Sequence, residues 1–413
     1  MRIRLFGALV ALFSMNVIAQ NTGHDPIRIA YIDPLSGAFS ATGHNGLVQF
    51  QHAVEELVNA KGGVLGGRRL EIVAYDNQAS AQESQIQLRR AISEGIQFIA
   101  QGNSSAVAGV LTDAITRHNQ RNPSQRLLFL NFAAVDPALT NENCSFWHFR
   151  FDAHADIKMQ ALTDLIAQRE DIKRIYIIGQ DYSFGQAVAN SAVGQLLQKR
   201  PDIQIVGNEL HPMEAVKDFT PYVTKIASSR PDAIITGNWG ADMVSLGRAI
   251  TDAGITVPIY TYYAAYDGIT ATIGASGRDQ FRMVHEGHFN PAPTEEYAQY
   301  VRAFKTANPN HDISYPRIIN TVQMLARAID QAGSTDPLDV ALALEGMEYT
   351  SMGGDRVFMR ADDHQLFQPI QISVHTDQSI TFDGDNSGFG LLTEVSVPIE
   401  NTMVDHSCRM RRP

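Results

Sequence analysis

The chain has 413 residues, with 33 Lys+Arg against 44 Asp+Glu, a net charge of −11, 44% apolar residues and two cysteines. This is the composition of a folded globular chain, and its length calls for two or three domains because single cores stop growing near ~250–300 residues. The acidic balance argues against a nucleic-acid partner, no apolar run reaches the ~18 residues that span a membrane, and two cysteines exclude a disulfide-dense mini-domain or a four-cysteine zinc site.

Residues 1–19 read as an export signal. Arg2 and Arg4 open it, residues 5–15 are mostly apolar, and Val17-Ile18-Ala19 offers a cleavage site. Cleavage near Ala19 removes two Arg and no acid, taking the net charge from −11 to −13. Export implies an oxidising compartment, in which Cys144 and Cys408 could pair.

Strands are predicted at residues 27–32, 70–75, 96–100 and 127–130. Helices are predicted from about Gly43, over 80–94 and over 104–119. This βαβα order predicts a parallel sheet covered on both faces. The rhythm restarts after Phe151. A helical stripe of Ile157, Ala161, Leu162, Leu165 and Ile166 precedes strands at 173–178, 203–206, 233–236 and 257–260, with helices at 184–197, 221–228 and 241–253 between them. Two such runs, less even than a barrel requires, predict two doubly wound α/β lobes. Beyond them, 295–306, 316–332 and 337–344 read as helices, and 356–359 and 370–375 as late strands.

Enzyme motifs are missing. Gly62-Gly63-Val64-Leu65-Gly66-Gly67 follows a helix and precedes a strand, the reverse of a phosphate-binding turn, and there is no nucleophile elbow. In His285-Glu286-Gly287-His288 the histidines are three apart near a strand end, which is not the helical pair of a zinc site. Nothing calls for a metal ion or a cofactor.

Ile29-Ala30-Tyr31-Ile32-Asp33-Pro34-Leu35-Ser36-Gly37, Val58-Asn59-Ala60-Lys61-Gly62-Gly63-Val64 and residues 70–76 come in an order and spacing similar to the opening of the leucine/isoleucine/valine-binding protein family. Gly102-Asn103-Ser104-Ser105, Phe132-Ala133-Ala134, Asp181-Tyr182-Ser183-Phe184-Gly185 and Asp218-Phe219-Thr220 extend the resemblance over roughly residues 27–375. It implies a type I periplasmic binding protein fold, with two lobes joined by three crossovers and a ligand in the cleft. The expected division is residues 20–150 with about 284–348 in the first lobe and 151–283 with about 349–390 in the second. The tail, 391–413, returns past the hinge and is pinned there by Cys144 and Cys408.

By the same resemblance, Asn103, Ser104 and Ser105 match the loop that holds the ligand carboxylate. A hydroxyl and backbone N–H groups at a helix N-terminus suit an anion on physical grounds as well; the plainer role for Ser104 is a helix N-cap. Ala133 and Ala134 match the next binding loop, followed by Val135 where the family often has Thr. Phe184 and Trp239 fall on aromatic positions. Tyr263, or its neighbour Tyr262, falls close to where amino-acid binders place an acid for the ligand ammonium, and Asp181 or Asp267 could substitute. Phe39 and Thr42 from the first loop, with Tyr266, complete an aromatic-rich pocket that also suits a flat or apolar carboxylate.

The expected function is therefore that of a periplasmic solute receptor, monomeric, that closes around a branched-chain amino acid or an aromatic or apolar carboxylate and presents it to an ABC permease in the inner membrane. A sensory ligand-binding subunit and a secreted two-lobe enzyme acting on a small acid fit the same elements.

Overall fold

The computed structural model describes residues 25–287 and 289–413. The expected export signal and His288 lie outside the described residues. In chain order the strands are β1 Ile27–Asp33, β2 Leu70–Asp76, β3 Phe98–Gln101, β4 Leu128–Asn131, β5 His148–Arg150, β6 Arg174–Gln180, β7 Gln204–His211, β8 Ala233–Thr236, β9 Ile259–Thr261 and β10 Phe281–His285. After three helices come β11 Glu348–Thr350, β12 Arg356–Met359, β13 Leu366–Phe367, β14 Ile370–Thr376 and β15 Gly390–Val397.

Two sheets form two lobes. The first has the order β2-β1-β3-β4-β5 and is wholly parallel; the second has the order β15-β14-β10-β9-β8-β6-β7. In the second sheet, β10, β14 and β15 pair antiparallel and the rest pair parallel. Helices cover both faces, so the inner strands are apolar nearly throughout: all four residues of β3, β4 and β8 are buried. Each lobe thus has its own apolar core. The type I binding-protein architecture expected from the sequence is present.

Before its tail, the chain changes lobes three times. Phe151 lies in the first core and Ala153 in the second. Val284 lies in the second core and Tyr315 in the first. Leu366 lies in the first core and Phe367 in the second. This last crossing corrects the expected boundary near residue 349: the small sheet β11-β12-β13 keeps Tyr349, Val357, Met359 and Leu366 packed in the first core. A second correction concerns the tail. Residues 390–397, assigned almost wholly to it, form an edge strand that covers β14, all of whose residues are buried.

The first and third crossings run side by side. The Arg150 N–H donates to the His364 carbonyl at 2.9 Å, and Gln365 Nε2 to the Asp152 carbonyl at 2.7 Å. Ile399 and Val404, beyond β15, still pack on the second core, and the tail then crosses back to the first lobe: Arg360 donates to the Val404 carbonyl, Ser407 N–H to Asn141, and Arg412 to Glu345. Cys144 and Cys408 are disulfide-bonded across 264 residues of sequence. In the chain-entropy model such a loop contributes about 5 kcal/mol, and native bridges typically deliver 2–4. Replacing both cysteines by Ser should lower the unfolding free energy in urea by about 2–4 kcal/mol; a change below about 0.5 kcal/mol would contradict a stabilising clasp.

Candidate functional site

The lobes meet around a cavity lined by residues of both. On the first-lobe side, β3 ends at Gln101 and the helix Ser105–Arg121 begins four residues later. The turn between them is tight. A Cβ on Gly102 would lie 2.7 Å from the Phe132 ring, so only glycine lets this turn approach the loop after β4. Ser104 takes φ 83° and ψ 116°, a conformation that costs a non-glycine residue of order 1–3 kcal/mol unless its surroundings enforce it. They do: Asp33, at the end of β1, accepts the N–H and the side-chain amide of Asn103, each at 2.9 Å, and Gln101 Nε2 donates to the Asn103 carbonyl at 2.7 Å. Burial pushes the Asp33 carboxyl up to about 7, against the pull of its N–H donors. The Ser104 hydroxyl makes no capping bond to its own helix. The plain N-cap role therefore does not apply. The hydroxyl lines the cavity beside first-turn N–H groups, which lack intrahelical partners in any α-helix.

The next loop is differently occupied. The N–H groups of Ala133 and Ala134 both donate to Asn131 Oδ1, at 3.2 and 2.8 Å. The Ala133 carbonyl faces across the cleft, where the Tyr263 hydroxyl approaches to 3.5 Å, the long limit of a hydrogen bond.

The second lobe supplies aromatic walls and one acid. Phe184 lies one residue into the helix Ser183–Lys199, and Trp239 immediately precedes the helix Gly240–Asp252 and donates its indole N–H to the Tyr182 hydroxyl at 2.8 Å. The loop after β9 carries Asp267 into the cavity. Tyr266, Asp267 and Gly268 have φ of 64°, 54° and 87°, three consecutive left-handed residues. Asp385, on the loop between β14 and β15, holds this bend by accepting the N–H groups of Gly268 and Ala271 at 2.9 and 3.2 Å. Across the cleft, Asn45 of the first-lobe helix Ser40–Leu57 donates to Asp267 Oδ1 at 2.8 Å. Burial pushes the Asp267 carboxyl up to about 7; Asn45 and Thr42 pull it partly back, while Asp385 and Asp312 repel its charge. A carboxylate so placed gains most from a cation brought by the ligand.

Thr42, Asn103, Ser104, Ser105, Ala133, Ala134, Phe184, Trp239 and Tyr263 thus share one cavity, and Asp267 rather than Asp181 joins them. Asp181 is exposed and holds Gln186. Phe39 and Tyr262 do not line the cavity. The Phe39 ring stacks behind Trp239, and Tyr262 is fully buried with its hydroxyl on the Ala155 carbonyl at 2.7 Å. The chain bends just after β9, and although both tyrosine rings pack against Phe184, only Tyr263 reaches the cavity. Tyr266 is turned away as well, packed on Phe289. Sequence reading missed Tyr315, whose hydroxyl donates to Asn103 Oδ1 at 2.9 Å, because no motif surrounds it.

It also missed the floor. Asp152 and Lys158, beside the first crossing, meet Glu286, on the second, and Arg317, at the start of the helix Arg317–Ala332. Lys158 lies 2.8 Å from Asp152 and 3.5 Å from Glu286; Arg317 lies 3.2 Å from Asp152 and pairs closely with Glu286. All four side chains are essentially inaccessible to solvent. Burial raises the Asp152 carboxyl above its usual range, whereas the Arg317 and Lys158 charges outweigh burial at Glu286 and hold it well below. The only hint in the sequence is Lys158 inside an apolar helical stripe.

Residues 26–377 match the family model described as periplasmic binding protein. A Brucella abortus protein, Leu/Ile/Val-binding protein homolog 4, is 31% identical over 96% of this chain and 95% of its own length. The chain belongs to the leucine/isoleucine/valine-binding protein family. Membership in this family of periplasmic binding proteins implies a periplasmic location. A solved relative, the leucine-, isoleucine-, valine-, threonine-, and alanine-binding protein from Brucella ovis in its closed conformation, superposes with a TM-score of 0.81 at 28% identity, covering 94% of this chain and 100% of that one. A Rhodopseudomonas palustris solute binding protein in complex with benzoate shares the fold, with a TM-score of 0.78 at 15% identity, covering 93% and 99%.

Within this family member the floor charges carry a direct test. Arg317→Met leaves two buried carboxylates facing Lys158 alone. Breaking a buried pair in this way should cost about 3–5 kcal/mol in urea unfolding; a loss under 1 kcal/mol would contradict a tightly paired cluster.

Proposed function

We propose that the chain is the substrate-binding component of an ABC importer, exported by cleavage near Ala19, that binds a small α-amino acid between its lobes and closes around it without turnover. One observation carries this reading: a single cavity holds the Ser104 hydroxyl and helix N-terminus on one lobe and the Asp267 carboxylate on the other. The first suits a carboxylate, the second an ammonium. A zwitterion satisfies both at once and so binds the closed arrangement more tightly than the open one, which shifts the population toward closure. Phe184, Trp239 and Tyr263 leave an apolar space for the side chain, in keeping with a branched-chain residue. The Brucella ovis relative, named for binding leucine, isoleucine, valine, threonine and alanine, supports the same class. A closed receptor of this kind delivers its solute to a membrane permease.

A second reading, an aromatic carboxylate, draws on the same aromatic walls and on the benzoate-bound neighbour. It leaves Asp267 without a cation, and for that reason stands second.

Calorimetry with L-leucine and with its deaminated analogue 4-methylpentanoate separates the two. L-Leucine should bind more than 100-fold more tightly, because an uncompensated buried carboxylate costs about 3–5 kcal/mol. Equal affinity would favour the carboxylate reading. Ser104→Ala should weaken L-leucine by about 10- to 100-fold, the loss of a hydrogen bond to a charged group; unchanged affinity would move the carboxylate elsewhere. The pH dependence follows from Asp267. Burial pushes its carboxyl up to about 7, and it must be ionised to hold an ammonium, so affinity for L-leucine should level off just above neutral pH and fall as pH drops below it. Asp267→Asn should abolish this slope; a slope that survives the substitution would assign it to another group.

A further inference from the structure

Phe39 belongs to the first lobe by connectivity: it follows β1 and directly precedes the helix Ser40–Leu57. Its ring nonetheless sits in the apolar core of the second lobe, 1% exposed. It stacks on Trp239 with ring centroids 4.0 Å apart and planes 24° apart. The seat is shaped for it. Gly240, the residue after Trp239, has φ 57°, and a Cβ there would come within 2.4 Å of Phe39 Cδ1. Trp239 lines the ligand cavity and Phe39 does not, so the stack closes the cavity wall from behind.

We propose that Phe39 is a ligand-independent latch: it holds the two lobes closed through Trp239 and Gly240, and sets affinity without touching the solute. The proposal rests on the two-lobe binding reading but not on which solute is bound. Parting the lobes brings a phenyl ring and an indole face into water, and their reburial favours closure whether or not the cavity is filled. A larger pre-closed fraction multiplies apparent affinity for every solute by the same factor. This distinguishes a latch from a wall residue, whose loss weakens some solutes more than others.

The test compares wild type with Phe39→Ala, Gly240→Ala and the double variant, first without ligand. Solution scattering should give a larger radius of gyration for Phe39→Ala. Gly240→Ala should open the protein similarly by filling the seat, and should add nothing in the Phe39→Ala background. Phe39→Leu, which keeps an apolar contact, should fall between, and the circular dichroism spectra should coincide. With L-leucine and benzoate as probes, each one that wild type binds should weaken by about 10- to 100-fold in Phe39→Ala, by an equal factor where both bind. An unchanged radius of gyration for ligand-free Phe39→Ala, additive effects at positions 39 and 240, or unequal factors for the two probes would overturn the latch. If wild type binds neither probe, the solute reading fails, while the ligand-free scattering still decides the latch.

Discussion

The structure turns on four buried charges. Asp152, Lys158, Glu286 and Arg317 bring together two of the three chain crossings and both lobes, two positive charges against two negative. Any one of them alone in so dry a place would cost several kcal/mol; as a closed set each charge faces two of opposite sign. What they fix lies directly above. The Lys158 ammonium sits 5.2 Å from the Tyr263 ring and the Arg317 guanidinium 4.5 Å from the Tyr315 ring, and both rings line the cavity. Arg317 Nε also donates to the Phe132 carbonyl at 2.5 Å, next to the Ala133 loop. The charges at the crossings thus lie directly against two rings of the cavity wall, one from each lobe.

Above that floor the two lobes are chemically unlike. The first offers donors, at the strained Ser104 turn braced by Asp33. The second offers an acceptor, Asp267, on a left-handed bend braced by Asp385. Each strained segment is held by a carboxylate that takes its backbone N–H groups, so both halves of the site are shaped before a solute arrives. A network of hydrogen bonds joins them: Asn45 donates to Asp267 and accepts the Asp312 N–H, and Asp312 accepts the Asp385 N–H at 2.9 Å. These bonds link the two lobes beside the cavity, through Asp267 and Asp385.

Much of this was legible in the sequence, and unevenly so. The alternation of strands and helices marked two lobes because inner parallel strands such as β3, β4 and β8 must be apolar on both faces. The Asn103-Ser104-Ser105 turn was legible because polar residues there open a helix. Asp267 was visible only as a nearby acid; its entry into the cavity depends on three left-handed residues and on Asp385, more than one hundred positions away. Phe39 was read as a wall residue because its lobe of origin is clear from sequence, while the core that receives it is not. Glu286 looked like part of a histidine run, yet its partners Lys158 and Arg317 come from different elements. The boundary at Leu366 and the strand β15 were obscured by short late strands whose partners only the packed lobes supply.

The central claim is that the cleft recognises an ammonium and a carboxylate together. Its most direct test is mass spectrometry of the solute released from protein purified without denaturation. A small compound carrying a primary amine beside a carboxylate should be recovered, in near-stoichiometric amount. Recovery of a carboxylate with no amine, at the same stoichiometry, would contradict it.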